Sequence, residues 1–434
     1  MPPPLMLMAD SHGAMFEHPE VLMAGASGTH PVAPSSSTIR PVPAYTKLFF
    51  LPGCAPVGLD PSTGKPVTVR SFRGRRVCAV ASFLPPGHLR LLLPAALPAP
   101  RTAAFPLWAY SAVGWDGGMV APYVTLDATP RWSPENYDDR DLLPTIEPLR
   151  RALRPNRLLD HLVRCATEYH CFAAKNLFLG RWEAPLPVSR RCNAACLGCL
   201  SLQPPDGCAP SHDRIAFTPT VDEVARIAVH HLDQAEDPIV SFGQGCEGEP
   251  LTEADLIEES IYRIRACTLR GVVNLNTNGY SAELLRRLVT AGLDSVRVSM
   301  ASARPDVFAA YHKPAGFSLA DVEEAVTAAG ECGAFTMLNY LVFPGVTDQP
   351  EEMEALIRLV RATGIRFIHL KNLNIDPWFY VARIGANLWS PGVGMEHFVQ
   401  ELRAELPGVE LGYFNRWEIS PGVRGNKAME DADG

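Results

Sequence analysis

Three cysteines stand in the run Arg191-Cys192-Asn193-Ala194-Ala195-Cys196-Leu197-Gly198-Cys199, a CxxxCxxC spacing on one short segment. The chain holds eleven cysteines, an odd number that argues against a disulfide framework and for reduced thiols, some of them metal ligands. Three thiolates on one loop can take three corners of an iron–sulfur cubane and leave one iron open. Zinc competes, because a structural zinc site needs four closed ligands and Cys208 or His212 supplies a fourth. Taken alone, the loop leaves both metals open.

A second pattern is Ser241-Phe242-Gly243-Gln244-Gly245-Cys246-Glu247-Gly248-Glu249-Pro250-Leu251. Glycines let a backbone approach a ligand closely, and Pro250 restricts Glu249 to an extended conformation. The Glu249 carbonyl and carboxylate are therefore expected to face outward as acceptors, a setting for an ammonium group. Polar residues recur further on, in Asn274-Leu275-Asn276-Thr277-Asn278-Gly279, in Arg297-Val298-Ser299, at Asn339, and in Lys371, Asn372, Asn374 and Asp376, with Trp378 and Tyr380 beyond.

The elements that must position these groups follow a strand-then-helix rhythm. Apolar runs at 185–188, 239–242, 272–276, 295–299, 335–343 and 367–370 read as strands. Helical periodicity lies between them at 221–234, 253–269, 282–291, 319–331 and 350–363, with a short piece at 305–311. Six such units build a partial (βα)6 barrel, an α/β fold with its chemistry at the strand C-termini, where each polar motif falls. The expected organisation is an extended or partly disordered arm over 1–43 and a small N-terminal β-rich domain over 44–140. A helical linker (141–182), the barrel (183–372) and a C-terminal extension packing on it (373–434) follow. Within that extension, 395–406 reads as a helix and 409–414 as a strand.

Composition narrows the function classes. A net charge of −8 argues against a surface built throughout for nucleic acid. Basic residues nevertheless gather at Arg70, Arg73, Arg75 and Arg76, and again at Arg150, Arg151, Arg154, Arg157 and Arg164. An RNA- or peptide-binding module stabilised by zinc is therefore the alternative function. No apolar stretch reaches the roughly 20 residues of a membrane span and no basic flank precedes an apolar run at the N-terminus, so a cytoplasmic protein without a membrane partner is expected. Cys54, Cys78, Cys267 and Cys332 read as small core hydrophobes.

Together the cysteine loop, Gly248-Glu249-Pro250 and the six-unit rhythm resemble the radical SAM superfamily, in the style of its molybdenum-cofactor and peptide-maturase branch, over about residues 183–372. The resemblance implies an oxidoreductase in which Cys192, Cys196 and Cys199 hold a [4Fe-4S] cluster and S-adenosylmethionine (SAM) chelates the fourth iron. It also implies that Gly248-Glu249-Pro250 receives the SAM amino group, that Ser299 touches its ribose or carboxylate, and that Thr277 or Asn278 faces cofactor or substrate. Reductive cleavage of SAM would then let the enzyme abstract hydrogen from a peptide, an RNA or a small molecule. A low-potential donor such as flavodoxin or ferredoxin would supply the electron. Two departures stand out. The residue before the third cysteine, usually aromatic and near adenine, is Gly198, and no cysteine follows Cys332, so the cysteine-rich C-terminal extension is missing. An auxiliary cluster would have to draw on Cys54, Cys78, Cys165, Cys171, Cys208 or Cys246.

Overall fold

A computed structural model describes residues 3–385 and 391–416 of the 434. Three helices, α1 (Asp139–Ala152), α2 (Arg157–Thr167) and α3 (Phe172–Leu179), lead into a curled, open sheet of seven parallel strands. These are β1 (Arg181–Pro185), β2 (Glu236–Phe242), β3 (Val272–Thr277), β4 (Ser295–Met300), β5 (Phe335–Val342), β6 (Phe367–Asn372) and β7 (Glu410–Gly412), neighbours in chain order. Helices α4 (Val221–Gln234), α5 (Ala254–Cys267), α6 (Ala282–Ala291), α7 (Pro305–His312), α8 (Leu319–Glu331), α9 (Pro350–Thr363), α10 (Pro377–Ile384) and α11 (Met395–Glu405) complete the set.

The two faces of each strand carry different chemistry because successive side chains alternate. Val273 and Leu275, Val296 and Val298, Leu338 and Tyr340, and Ile368 and Leu370 join one core with Ile257 and Ile261 of α5, Leu285 and Leu288 of α6, and Leu356 of α9. The alternate positions are polar and bond one another across the concave face. Asn274 donates to Ser241 at 3.1 Å, Ser295 to Asn274 at 2.8 Å, Arg297 to Asn276 at 2.7 Å and Asn339 to Ser299 at 3.1 Å. A barrel interior this polar is built to receive a polar guest.

Two expectations need correction. The first strand is Arg181–Pro185 rather than 185–188: Leu186 N–H still bonds the Ser241 carbonyl, but the N–H groups of Val188 and Ser189 turn away to the Glu247 carboxylate. The expected N-terminal arm is folded. Leu5–Ala9 pairs with Met15–Met23 and with Cys78–Phe83 inside an antiparallel sheet of eleven strands. Four of its five residues are buried, so no polar alternation marks it as a strand.

This β region docks on the barrel through buried polar contacts. Arg90 is fully buried and donates to the carbonyls of Tyr110 (3.0 Å) and Leu373 (2.9 Å). Asn372, at the end of β6, bonds the backbone of His88 and Arg90. Gly345 needs to be glycine, since φ is +89° and a Cβ would lie 1.9 Å from the Gly28 nitrogen.

Three of the five arginines in the set near residue 150 pair with carboxylates: Arg150 with Glu147 and Asp160, Arg157 with Glu223, and Arg164 with Glu168 and Asp213. Cys267 and Cys332, expected in the core, are exposed. No helix among the described residues is long and apolar enough to cross a membrane.

His231 of α4 is buried against the Trp182 carbonyl, and burial pushes its pKa down to about 4. An unfolded histidine takes up its proton near 6.5, so the contribution of His231 to stability should fall as pH drops from about 6.5 toward 4, by about 2 kcal/mol at pH 5. Urea unfolding at pH 7.5 and pH 5 reads this, and His231→Gln is expected to narrow the gap.

Candidate functional site

The cysteine loop leaves β1 and is held from three sides. Gly248 and Glu249 donate their N–H groups to the carbonyls of Ser189 and Arg191, both at 2.7 Å, which lays the Gly248-Glu249-Pro250 turn along the start of the loop. A Cβ on Gly248 would meet the Arg191 carbonyl oxygen at 1.9 Å, so only glycine permits that approach. On the other side Ala195 and Leu197 donate to the carbonyls of His312 and Tyr311, at the end of α7. Asn278 reaches across from the end of β3 to the Asn193 side chain at 2.7 Å.

Two buried carboxylates fix this geometry. Glu247 accepts from the N–H groups of Val188 (2.8 Å), Ser189 (3.0 Å), Gly243 (2.6 Å) and Gln244 (3.1 Å), tying the exits of β1 and β2 together. Glu249 accepts from the Thr277 hydroxyl (2.5 Å) and from the N–H groups of Leu251 (3.0 Å) and Asn278 (2.8 Å). Burial pushes both carboxyls up to about 7. The expectation that Glu249 faces outward is thereby corrected: its carboxylate is spent within the protein, and its carbonyl accepts from Thr252. Thr277 is likewise a bracket for Glu249 rather than an open hydroxyl.

Beyond the loop opens a cavity of about 490 Å³ at the strand C-termini. Ser299, Asn276, Asn339 and Gln244 line it, with Arg297 and Glu183 on its floor and Lys371, Asn372 and Asn374 at the far wall. Arg297 and Glu183 are mostly buried and 3.3 Å apart, and Glu183 also accepts from Ser241 and Gln244. The Lys371 amine lies 3.5 Å from the centre of the Tyr413 ring; burial and Arg297 hold its pKa well below the ordinary lysine value. Asp376, Trp378 and Tyr380 do not join the cavity lining. Asp376 caps α10 and accepts from Phe105, Trp378 packs near Phe105, and Tyr380 is buried in a core.

Tyr311 was not visible as a site residue in the sequence, and Gly198 is the signal that points to it. A Cβ at Gly198 would lie 2.7 Å from the Tyr311 hydroxyl. A buried aromatic ring of α7 thus stands beside the loop at the position that carries no side chain. His312 is equally unannounced: its Nδ1 is 3.3 Å from Cys196 Sγ while Ala301 N–H donates to its Nε2 at 3.2 Å. With Nε2 accepting, Nδ1 carries the proton and donates to the sulfur.

The loop cysteines offer three thiols to a metal centre. Burial pushes the thiols of Cys192 and Cys196 up, and at Cys196 the other two sulfurs add to the effect, so a cationic centre is what would keep them as thiolates. Ligands at about 2.3 Å from one tetrahedral ion sit about 3.8 Å apart. Among the described residues, the ligand atoms found mutually within 4.8 Å are those of His161, Cys165 and Cys246, a group that does not include the loop sulfurs. Neither Cys208 nor His212 closes a zinc site with them. Residues 186–360 match the Radical SAM superfamily. The chain carries a radical SAM domain.

The GTP 3',8-cyclase of Streptomyces coelicolor is 35% identical over 181 residues, 39% of this chain and 48% of that protein. The GTP 3',8-cyclase of Desulforamulus reducens is 29% identical over 199 residues, 44% of this chain and 57% of that protein. The chain therefore spans about half the length of these curated relatives. Among solved structures, a radical SAM methyltransferase from Sphaerobacter thermophilus aligns with 17% identity and a TM-score of 0.37, over 55% of this chain and 68% of that one.

Proposed function

We propose that this chain is a radical SAM enzyme, with Cys192, Cys196 and Cys199 holding a [4Fe-4S] cluster and the adjoining cavity receiving SAM and a polar substrate. One observation carries the reading: three half-buried thiols share one loop whose neighbouring residues Gly198 and Leu200 line a polar cavity at the C-terminal ends of parallel strands. Cluster and SAM, when bound, supply reductive cleavage of the sulfonium and a radical able to abstract hydrogen.

The chain's own residues do the rest. Glu247 and Glu249 hold the loops in register. His312 donates to one ligand sulfur, which favours the more negative, reduced state. Gly248 and Pro250 set the backbone that would meet the SAM amino group, and Ser299 and Asn278 stand where ribose or substrate would reach. Arg297, paired with Glu183, and the buried Lys371 amine line the cavity as polar groups for a polar substrate, whether free or part of a peptide or RNA. A low-potential donor such as flavodoxin or ferredoxin is the expected electron source.

Tyr311 is assigned to adenine. Loss of a base-stacking ring costs about 1–3 kcal/mol, so Tyr311→Ala should weaken SAM binding about five- to a hundredfold while Tyr311→Phe stays near the parent. Calorimetric titration of the reconstituted protein with SAM reads both.

The proposal as a whole is tested by anaerobic reconstitution. A brown protein with about four irons per chain, whose reduced cluster signal changes when SAM is added, is the expected result. A colourless protein that takes up zinc at the loop cysteines and no iron contradicts it.

A further inference from the structure

A second set of metal-ligand side chains lies outside this site. His161 and Cys165 stand one turn apart on α2, so they share a helix face, and Cys165 Sγ is 3.5 Å from His161 Nε2. Cys246, two residues before Gly248, brings its sulfur into the same place, and the three ligand atoms lie mutually within 4.8 Å. Both cysteines are buried, at 2% and 7% exposure, and neither is in a disulfide.

A fourth group points the same way. The Nε2 atom of His212 is buried with no hydrogen-bond partner, an arrangement that a folded protein rarely leaves unfilled. Its segment is tied here by Ile215 N–H, which donates to the Cys246 carbonyl at 2.8 Å. A Cβ on Gly245, next to Cys246, would be 3.4 Å from His212 Nε2.

We propose that His161, Cys165 and Cys246 hold one tetrahedral zinc ion, separate from the Cys192–Cys196–Cys199 loop, and that the orphaned His212 imidazole, outside the mutual 4.8 Å trio as it stands, closes on the ion as the fourth ligand. Two thiolates and two imidazoles with no carboxylate are the donors zinc prefers over magnesium or calcium, and four protein ligands make a closed, structural site. Its position gives it a task. The ion pins α2 to the loop that carries Gly248-Glu249-Pro250 and so braces one wall of the cavity.

Auxiliary-cluster chemistry and a Cys165–Cys246 disulfide compete for the same residues, and metal analysis of the full chain separates them. Purified without added iron, the protein should carry about one zinc per chain. A Cys192→Ala, Cys196→Ala, Cys199→Ala triple variant should keep it, while Cys165→Ser and Cys246→Ser lose it. Should those two fail to fold, His161→Ala, at a partly exposed ring, is expected to weaken zinc at least tenfold against a chromophoric chelator. Loading with Co2+ should give intense visible bands and sulfur-to-metal charge transfer. Zinc retained in Cys165→Ser, iron retained in the triple variant, or a mass two hydrogens light with both cysteines joined would each overturn the site. Iron at the loop is read separately, so loss of one assignment leaves the other standing.

Discussion

Serine in place of any one of Cys192, Cys196 or Cys199 is expected to abolish iron loading and to cut 5'-deoxyadenosine formation at least a hundredfold. A cubane held by three protein ligands has no spare one, and these thiols share a single loop braced by the Gly248-Glu249-Pro250 turn and by the carbonyls of Tyr311 and His312. Serine at the exposed Cys267 is the control and should leave both readings at the parent level. Iron per chain and product by chromatography measure the effect.

The second large effect is expected at Glu247. Each of its carboxylate oxygens accepts two backbone N–H groups. In Glu247→Gln one oxygen becomes an NH2 that faces two donors in a buried place, and unsatisfied buried groups cost about 1–3 kcal/mol each. A loss of about 3 kcal/mol in denaturant unfolding should follow, with weaker SAM binding because the exits of β1 and β2 are no longer tied. Glu247→Ala is expected to be at least as severe.

The contrast between these two positions shows what was legible in the sequence. The cysteine loop stood out because its three thiols fall within eight residues, although their spacing alone left iron–sulfur and zinc open. The strand-and-helix rhythm was readable because each barrel strand buries an apolar face against a helix with its own period. Glu247 was passed over as a spacer, since nothing local says that it collects N–H groups from residues 58 and 59 positions earlier as well as from its own turn. Glu249 was misjudged for a related reason: Pro250 fixes the backbone but not whether the carboxylate turns inward. The Glu183–Arg297 pair closes over 114 positions, and nothing in the sequence around either partner names the other. Tyr311 was signalled only by the absence of a side chain at Gly198. The N-terminal strands were missed because Leu5–Ala9 is nearly all buried, and a strand without alternation has no period to read.

His312 bears on the poise of the centre. Removing its N–H from Cys196 in His312→Leu should lower the midpoint potential of the bound cluster by on the order of 50 mV, the equivalent of about a tenfold change for one electron. An EPR-monitored redox titration measures it, and an unchanged potential would mean that the imidazole serves packing alone.

The central claim, that the loop and cavity cleave SAM reductively, is tested most directly by anaerobic incubation of the reconstituted protein with dithionite and SAM. An S = 1/2 cluster signal together with 5'-deoxyadenosine and methionine in equal amounts is the expected result. A fully loaded, reduced cluster that leaves SAM intact would contradict it.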